Sequence, residues 1–200
     1  MSIFKRLSRG LRSEDGAVST EAVLMMPLLL WAWIAMYVFF EGLRENNINL
    51  KASYTIGDLL SRETSTIDMD YLNGMTGVFA WLTRTQAPVQ MRVTVVRWNE
   101  DDQRHDLVWS RGLRGQSDLT QAGVTAALTP SIPILADADT AIVVETWADF
   151  EPIVEIGLKD TTIYNLVVTP PRFSDQLVLE GVNDGGGTAH DDGMDGGTGI

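Results

Sequence analysis

The segment Ala22–Phe40 (AVLMMPLLLWAWIAMYVFF) runs for nineteen residues without a charge or a strongly polar side chain, and it constrains the fold more than any other feature. Rising about 1.5 Å per residue, a helix of that length is roughly 28 Å long, close to the hydrocarbon thickness of a bilayer. A soluble protein can bury such a helix only in a large core, which the single modest domain expected of 200 residues does not provide. A transmembrane helix is therefore expected here.

Charge is divided around this segment. Ahead of it, Lys5, Arg6, Arg9 and Arg12 stand against Glu14 and Asp15, a net of +2. The whole chain carries −12, so everything after Gly16 sums to −14. Basic residues on the short flank of a spanning helix hold that flank in the cytoplasm. The long acidic flank is then expected outside it, periplasmic in a bacterium. An acidic surface lacks the basic stripe that a nucleic-acid partner needs, so none is expected. Cysteine is absent, which removes thiol nucleophiles, disulfides and every cysteine-containing zinc site.

The residues before the apolar run carry a more specific signal. An ordinary secretory signal pairs a hydrophobic stretch of about 7–15 residues with a small-x-small cleavage site. Here the stretch is longer, and Glu41-Gly42-Leu43-Arg44 follows Phe40. Instead, a basic leader ends at Gly16, Ala17 follows, and Glu21 is the fifth residue after the glycine. This pattern resembles the type IV prepilin processing site. The resemblance implies that a prepilin peptidase cuts between Gly16 and Ala17 on the cytoplasmic side and leaves the hydrophobic helix on the mature protein. It also implies a docking role for Glu21, whose carboxylate would meet the new terminal amine of a neighbouring subunit. An ionisable group at the edge of a spanning helix is costly, roughly 2.5–3.5 kcal/mol if carried to the centre, unless a partner compensates it. The alternative is that Glu21 is an interfacial residue at the end of an uncleaved anchor.

Ala22 stands where many pilins place an aromatic residue, and Pro27 follows early in the helix. The stretch G-A-V-S-T-E-A-V-L-M-M-P-L-L-L from Gly16 to Leu30 is similar to the TadE-like minor pilins, or pseudopilins, of the tight adherence (Tad/Flp) pilus system. Proline in a membrane helix removes one hydrogen bond and allows a kink, which is either neutral or a point of local melting.

Past Phe40 the helix is expected to continue, with Ile48, Ala52, Ile56 and Leu59 forming a stripe and Asn46, Asn47, Asn49 and Lys51 off it. A second helix is expected after the Asp68/Asp70 start signal, with Tyr71, Leu72, Met75, Phe79 and Leu82 on one face and Pro88 as its limit. Val89, Met91, Val93 and Val95 alternate with Gln90, Arg92 and Thr94, the pattern of a half-buried strand. A polar turn at Asn99–Asp102 and a returning strand over His105–Ser110 complete a hairpin. A short helix over Asp118–Leu128 and strands over Ala141–Phe150 and Thr162–Thr169 follow.

The expected fold is α+β: an N-terminal transmembrane helix continuing into a small pilin-like domain with a mostly antiparallel sheet and helices on one face. The expected organisation is a leader (1–16), a transmembrane helix (17–42), an extracytoplasmic domain (43–182) and a disordered Gly/Asp tail (183–200).

Catalytic constellations are missing from the sequence. His105 and His190 are the two histidines, and there is no G-x-S-x-G, H-E-x-x-H or phosphate-binding glycine loop. No enzyme activity, metal or cofactor is expected. The reading is a minor pilin of the bacterial inner membrane, with the prepilin peptidase, other pilins and the Tad secretion machinery as partners. A single-pass anchored binding or scaffold domain that is never cleaved is the alternative.

Overall fold

The computed structural model describes residues 14–85, 87–152, 154, 157 and 159–182, with side chains from Glu21 onward. Residues 1–13 of the basic leader and the whole Gly/Asp tail lie outside the described residues.

Helix α1 (Glu14–Ser61) is one continuous element of 48 residues that passes Pro27, Gly42 and Gly57 without a break. The continuation past Phe40 is as expected, but its buried stripe differs in detail. Ala52, Ile56 and Leu60 are the core residues, whereas Leu59 is exposed. Asn49, expected off the stripe, is buried, and its carbonyl accepts the Ser53 hydroxyl at 2.8 Å. Ser53 in turn bonds Thr146 on the sheet at 2.7 Å, so a polar contact, not an apolar one, pins this turn to the sheet. Gly57 brings the helix close to a strand, since a Cβ there would stand 3.2 Å from Val167 Cγ1.

Helix α2 (Met69–Thr83) begins where the Asp68 signal placed it: the Asp68 carboxylate accepts the Tyr71 N–H at 2.7 Å and satisfies a free donor of the first turn. It stops at Arg84, which adopts the left-handed conformation (φ 54°), well before Pro88. Leu72 and Phe79 are buried, and Tyr71, Met75 and Leu82 pack against the same core, as their spacing implied.

Strands β1 (Val89–Asn99), β2 (Arg104–Leu113), β3 (Thr140–Phe150) and β4 (Thr161–Thr169) form an antiparallel sheet in the order β2-β1-β3-β4. The chain crosses β1 between β2 and β3, and the crossover is helical: α3 (Gln121–Gly123), a π-turn (Val124–Leu128) and a 3₁₀ turn (Thr129–Ser131). One face of the sheet, with Met91, Val93, Val95, Ile142 and Val144, packs on Ile56, Leu60, Leu72 and Phe79. The other face, with Val96, Ala141 and Val143, is covered by Val124, Leu128 and Ile132 from the crossover.

This second layer corrects two expectations. Helices cover both faces of the sheet, and β1 is buried on both sides, with Arg92 and Thr94 enclosed along with the valines. Regular alternation reports polarity along a strand, but it does not say whether a later segment closes over the polar face.

A C-terminal segment, not anticipated as part of the core, completes the first face. Leu177 and Leu179 are fully buried, the Trp109 indole donates to the Leu177 carbonyl at 2.8 Å, and Ile67 pairs with Leu179 in a parallel bridge.

The chain divides into two compact units. One comprises the helix up to Asn47 together with Phe150–Thr162; the other comprises Ile48–Asp149 and the chain from Ile163.

Candidate functional site

Two features carry chemistry: the apolar part of α1 and a buried ionic row on the sheet.

The apolar run exposes its side chains on nearly every side. Val23, Leu30 and Phe40 are 71%, 59% and 64% exposed. A helix that is hydrophobic all round and uncovered is the pattern of a membrane span, and α1 is long and apolar enough to cross one. Glu21 is exposed at its edge, and the helical backbone runs through Gly16, Ala17 and Pro27. The residues singled out in the sequence therefore lie on one helix: the Gly16–Ala17 bond, Glu21 one turn on, and Pro27 after that. Near its C-terminal end the run is covered along one stripe, where Ile34 and Ala35 are half-buried and Val38 is buried.

The ionic row was not among the sequence expectations. Gly112 on β2, Arg92 on β1 and Glu145 on β3 stand in register across the sheet. Arg92 Nε and Nη2 donate to the two Glu145 carboxylate oxygens at 2.7 and 2.8 Å, a bidentate pair. The two side chains are 10% and 3% exposed. Tyr164 on β4 donates its hydroxyl to Glu145 Oε1 at 2.9 Å, and the Arg92 guanidinium lies 5.1 Å from the centre of the Trp147 ring. Arg92 Nη1 also reaches the Ser117 carbonyl at 3.4 Å.

Gly112 makes that last contact possible. A Cβ there would collide with the Gln116 carbonyl group, so only glycine lets the loop after β2 lie flat on the strand beside Arg92. Both carboxylate oxygens of Glu145 are engaged, Oε2 by Arg92 Nε and Oε1 by Arg92 Nη2 and the Tyr164 hydroxyl. The carboxylate is thereby held as a buried partner of Arg92.

Burial raises the Tyr164 phenol well above its ordinary value, and the Glu145 charge and hydrogen bond add to the shift, with Arg92 opposing them. Tyr71 is raised in the same direction, by burial first and then by its 2.7 Å hydrogen bond to Glu63. A raised folded-state value means that these phenols contribute stability fully present below the unfolded value, about 10, and lost as pH rises towards the folded one. The Tyr71→Phe, Tyr164→Phe double variant is thus expected to form as much phenolate as wild type when folded at about pH 11, and less than wild type in urea at that pH. Equal deficits in both states by ultraviolet difference absorbance would contradict the assignment.

His105 lies in the hairpin as expected but is buried, its Nε2 3.2 Å from the Pro133 carbonyl and its ring edge-on to Trp98. Nδ1 has no hydrogen-bond partner among the described residues. His190 falls outside the described residues. No cluster of three or more His, Asp or Glu side chains among the described residues is placed to hold a metal.

No family model, no curated protein and no solved structure matches this chain.

Proposed function

We propose that this chain is a minor pilin or pseudopilin of a Tad/Flp-type pilus, held in the bacterial inner membrane by α1 and carrying its α+β body on the periplasmic side. The carrying observation is the uncharged run Ala22–Phe40, exposed on nearly every side apart from a covered stripe at its C-terminal end, on a helix that continues without a break to Ser61. The Gly16–Ala17 bond and Glu21, placed before that run, supply the resemblance to a prepilin start. In this reading Gly16 and Ala17 form the cleavage site, Glu21 docks a neighbouring subunit, and the apolar helix serves first as anchor and then as polymerisation surface.

A second reading, an uncleaved single-pass anchored scaffold, draws support from the helical backbone across Gly16 and Ala17. A bond inside an intact helical turn is closed to a peptidase until that turn opens.

Intact-mass measurement of the membrane-extracted protein separates the two. A mature N-terminus at Ala17 in cells that hold a prepilin peptidase is the expected result. An intact Met1 start in those cells would leave the scaffold reading.

A further inference from the structure

The covered stripe on α1 lies at a revealing depth. Val38 is 3% exposed and Phe39 meets the segment between β3 and β4: a Cβ on Gly157 would stand 3.3 Å from the Phe39 ring. Gly157 has φ +80°, so its backbone conformation and the closeness of the ring both call for glycine. Val38 and Phe39 belong to the same uncharged run that is long enough to span a bilayer. The β3–β4 segment therefore touches α1 inside the run, not beyond it.

Length makes the consequence quantitative. If that segment stayed wholly in water, the hydrocarbon would have to end before Val38, leaving the sixteen residues Ala22–Tyr37 to span it. Sixteen residues of helix cover roughly 24 Å, about 6 Å short of a typical hydrocarbon core of roughly 30 Å. Closing that gap from the other end would draw Glu21 into the hydrocarbon, at a cost of up to a few kcal/mol. Letting the segment enter the boundary avoids both penalties, and its composition suits that position. Val154 is 43% exposed with no protein over much of its surface, and Pro152 lies beside it in the chain. Glu151 opens the segment and Lys159 and Asp160 close it, all three exposed. Lysine beside an apolar loop can reach lipid phosphates. These charged ends limit the depth to the headgroup–acyl boundary.

We propose that the β3–β4 segment around Pro152, Val154 and Gly157 is a second lipid-contacting element, seated at the bilayer boundary against the C-terminal end of the α1 span. This rests on the anchor reading, and the test separates the two claims.

The chain has no cysteine, so single-cysteine labelling needs no background removal. Full-length Val154→Cys, Leu30→Cys and Glu100→Cys variants, each carrying an environment-sensitive fluorophore, are reconstituted in phosphatidylcholine/phosphatidylglycerol vesicles. Nitroxides placed near the head or near the middle of the acyl chain serve as lipid quenchers, and iodide as the aqueous one. All three positions are exposed, so the substitutions leave the packing undisturbed. The label at Val154 is expected to lose emission to the shallow nitroxide and to shift to the blue, that at Leu30 to lose it to the deep nitroxide, and that at Glu100 to respond to iodide alone. A Val154 label quenched by iodide and untouched by either lipid quencher, with Leu30 still quenched from the lipid, overturns the loop assignment and leaves the anchor standing. Iodide quenching at Leu30 overturns both.

Discussion

Replacing Glu145 with alanine is expected to lower the unfolding free energy by about 3–5 kcal/mol, because it strands the largely buried Arg92 guanidinium without its counter-charge. Against a typical total of about 5–15 kcal/mol, that loss brings a protein at the low end of the range close to its unfolding midpoint. Arg92→Ala should behave similarly, since it leaves a buried carboxylate with only the Tyr164 hydroxyl. The informative variant is the pair Arg92→Met with Glu145→Leu. Both charges go, the volume stays, and Trp147 keeps an apolar neighbour, so most of the stability should return. Urea unfolding in mild detergent, followed by near-ultraviolet circular dichroism of the tryptophans, measures all three. A double variant as unstable as the singles would mean that the row contributes through its hydrogen bonds to Tyr164 and Ser117, not through charge balance.

Glu21→Gln should abolish or strongly reduce surface pili while leaving membrane insertion and cleavage at Gly16 unchanged. The substitution keeps the shape of the side chain and removes its charge. If the carboxylate meets the amine freed at Ala17 of a neighbouring subunit, loss of one partner leaves the other partly withdrawn from water and uncompensated, an effect of a few kcal/mol per contact. Such a loss repeats at each subunit junction where the protein sits. Glu21→Ala should match it. Counting pili by electron microscopy, alongside the amount of protein in the membrane fraction, gives the readout. Normal piliation with Glu21→Gln would reduce the residue to an interfacial position on a plain anchor.

Much of the fold was legible in the residues. The Asp68 cap, the Leu72/Phe79 face and the strands ending at Phe150 and before Pro170 follow local rules of capping, periodicity and proline chemistry, and each is where those rules put it. What escaped was long-range. Arg92 and Glu145 are 53 residues apart in sequence; Arg92 reads alone as a polar residue of an alternating strand, and Glu145 as a single charge within another strand. A usable signal existed: each is a lone charge of opposite sign inside a run of valines and other apolar residues, Met91–Val96 and Ala141–Trp147. The apolar Val124, Leu128 and Ile132, at a spacing of four, were the matching sign that something closes over that face. Of the proposed site, Gly16, Ala17, Glu21 and Pro27 were legible as a pattern along one helix, because such a pattern is local. The depth at which the β3–β4 segment meets α1 depends on tertiary packing and was not.

The parallel bridge between Ile67 and Leu179 bears on the order in which the chain can acquire its structure. These residues are 112 positions apart, and Leu177 and Leu179 fill the same core as Phe79 and Trp109. During synthesis, α1, α2 and the β1–β2 hairpin are all complete before β3 and the Leu177–Leu179 segment of that core exist. At about 5–20 residues per second, roughly four to fourteen seconds separate Trp109 from Leu179. For that interval the core of Phe79 and Trp109 lacks Leu177 and Leu179, and unfinished apolar surface of this kind is what holding factors bind. The last core stretch to arrive is the one that ties three earlier parts of the chain together: Ser61 through Arg172, Ile67 through Leu179 and Trp109 through Leu177.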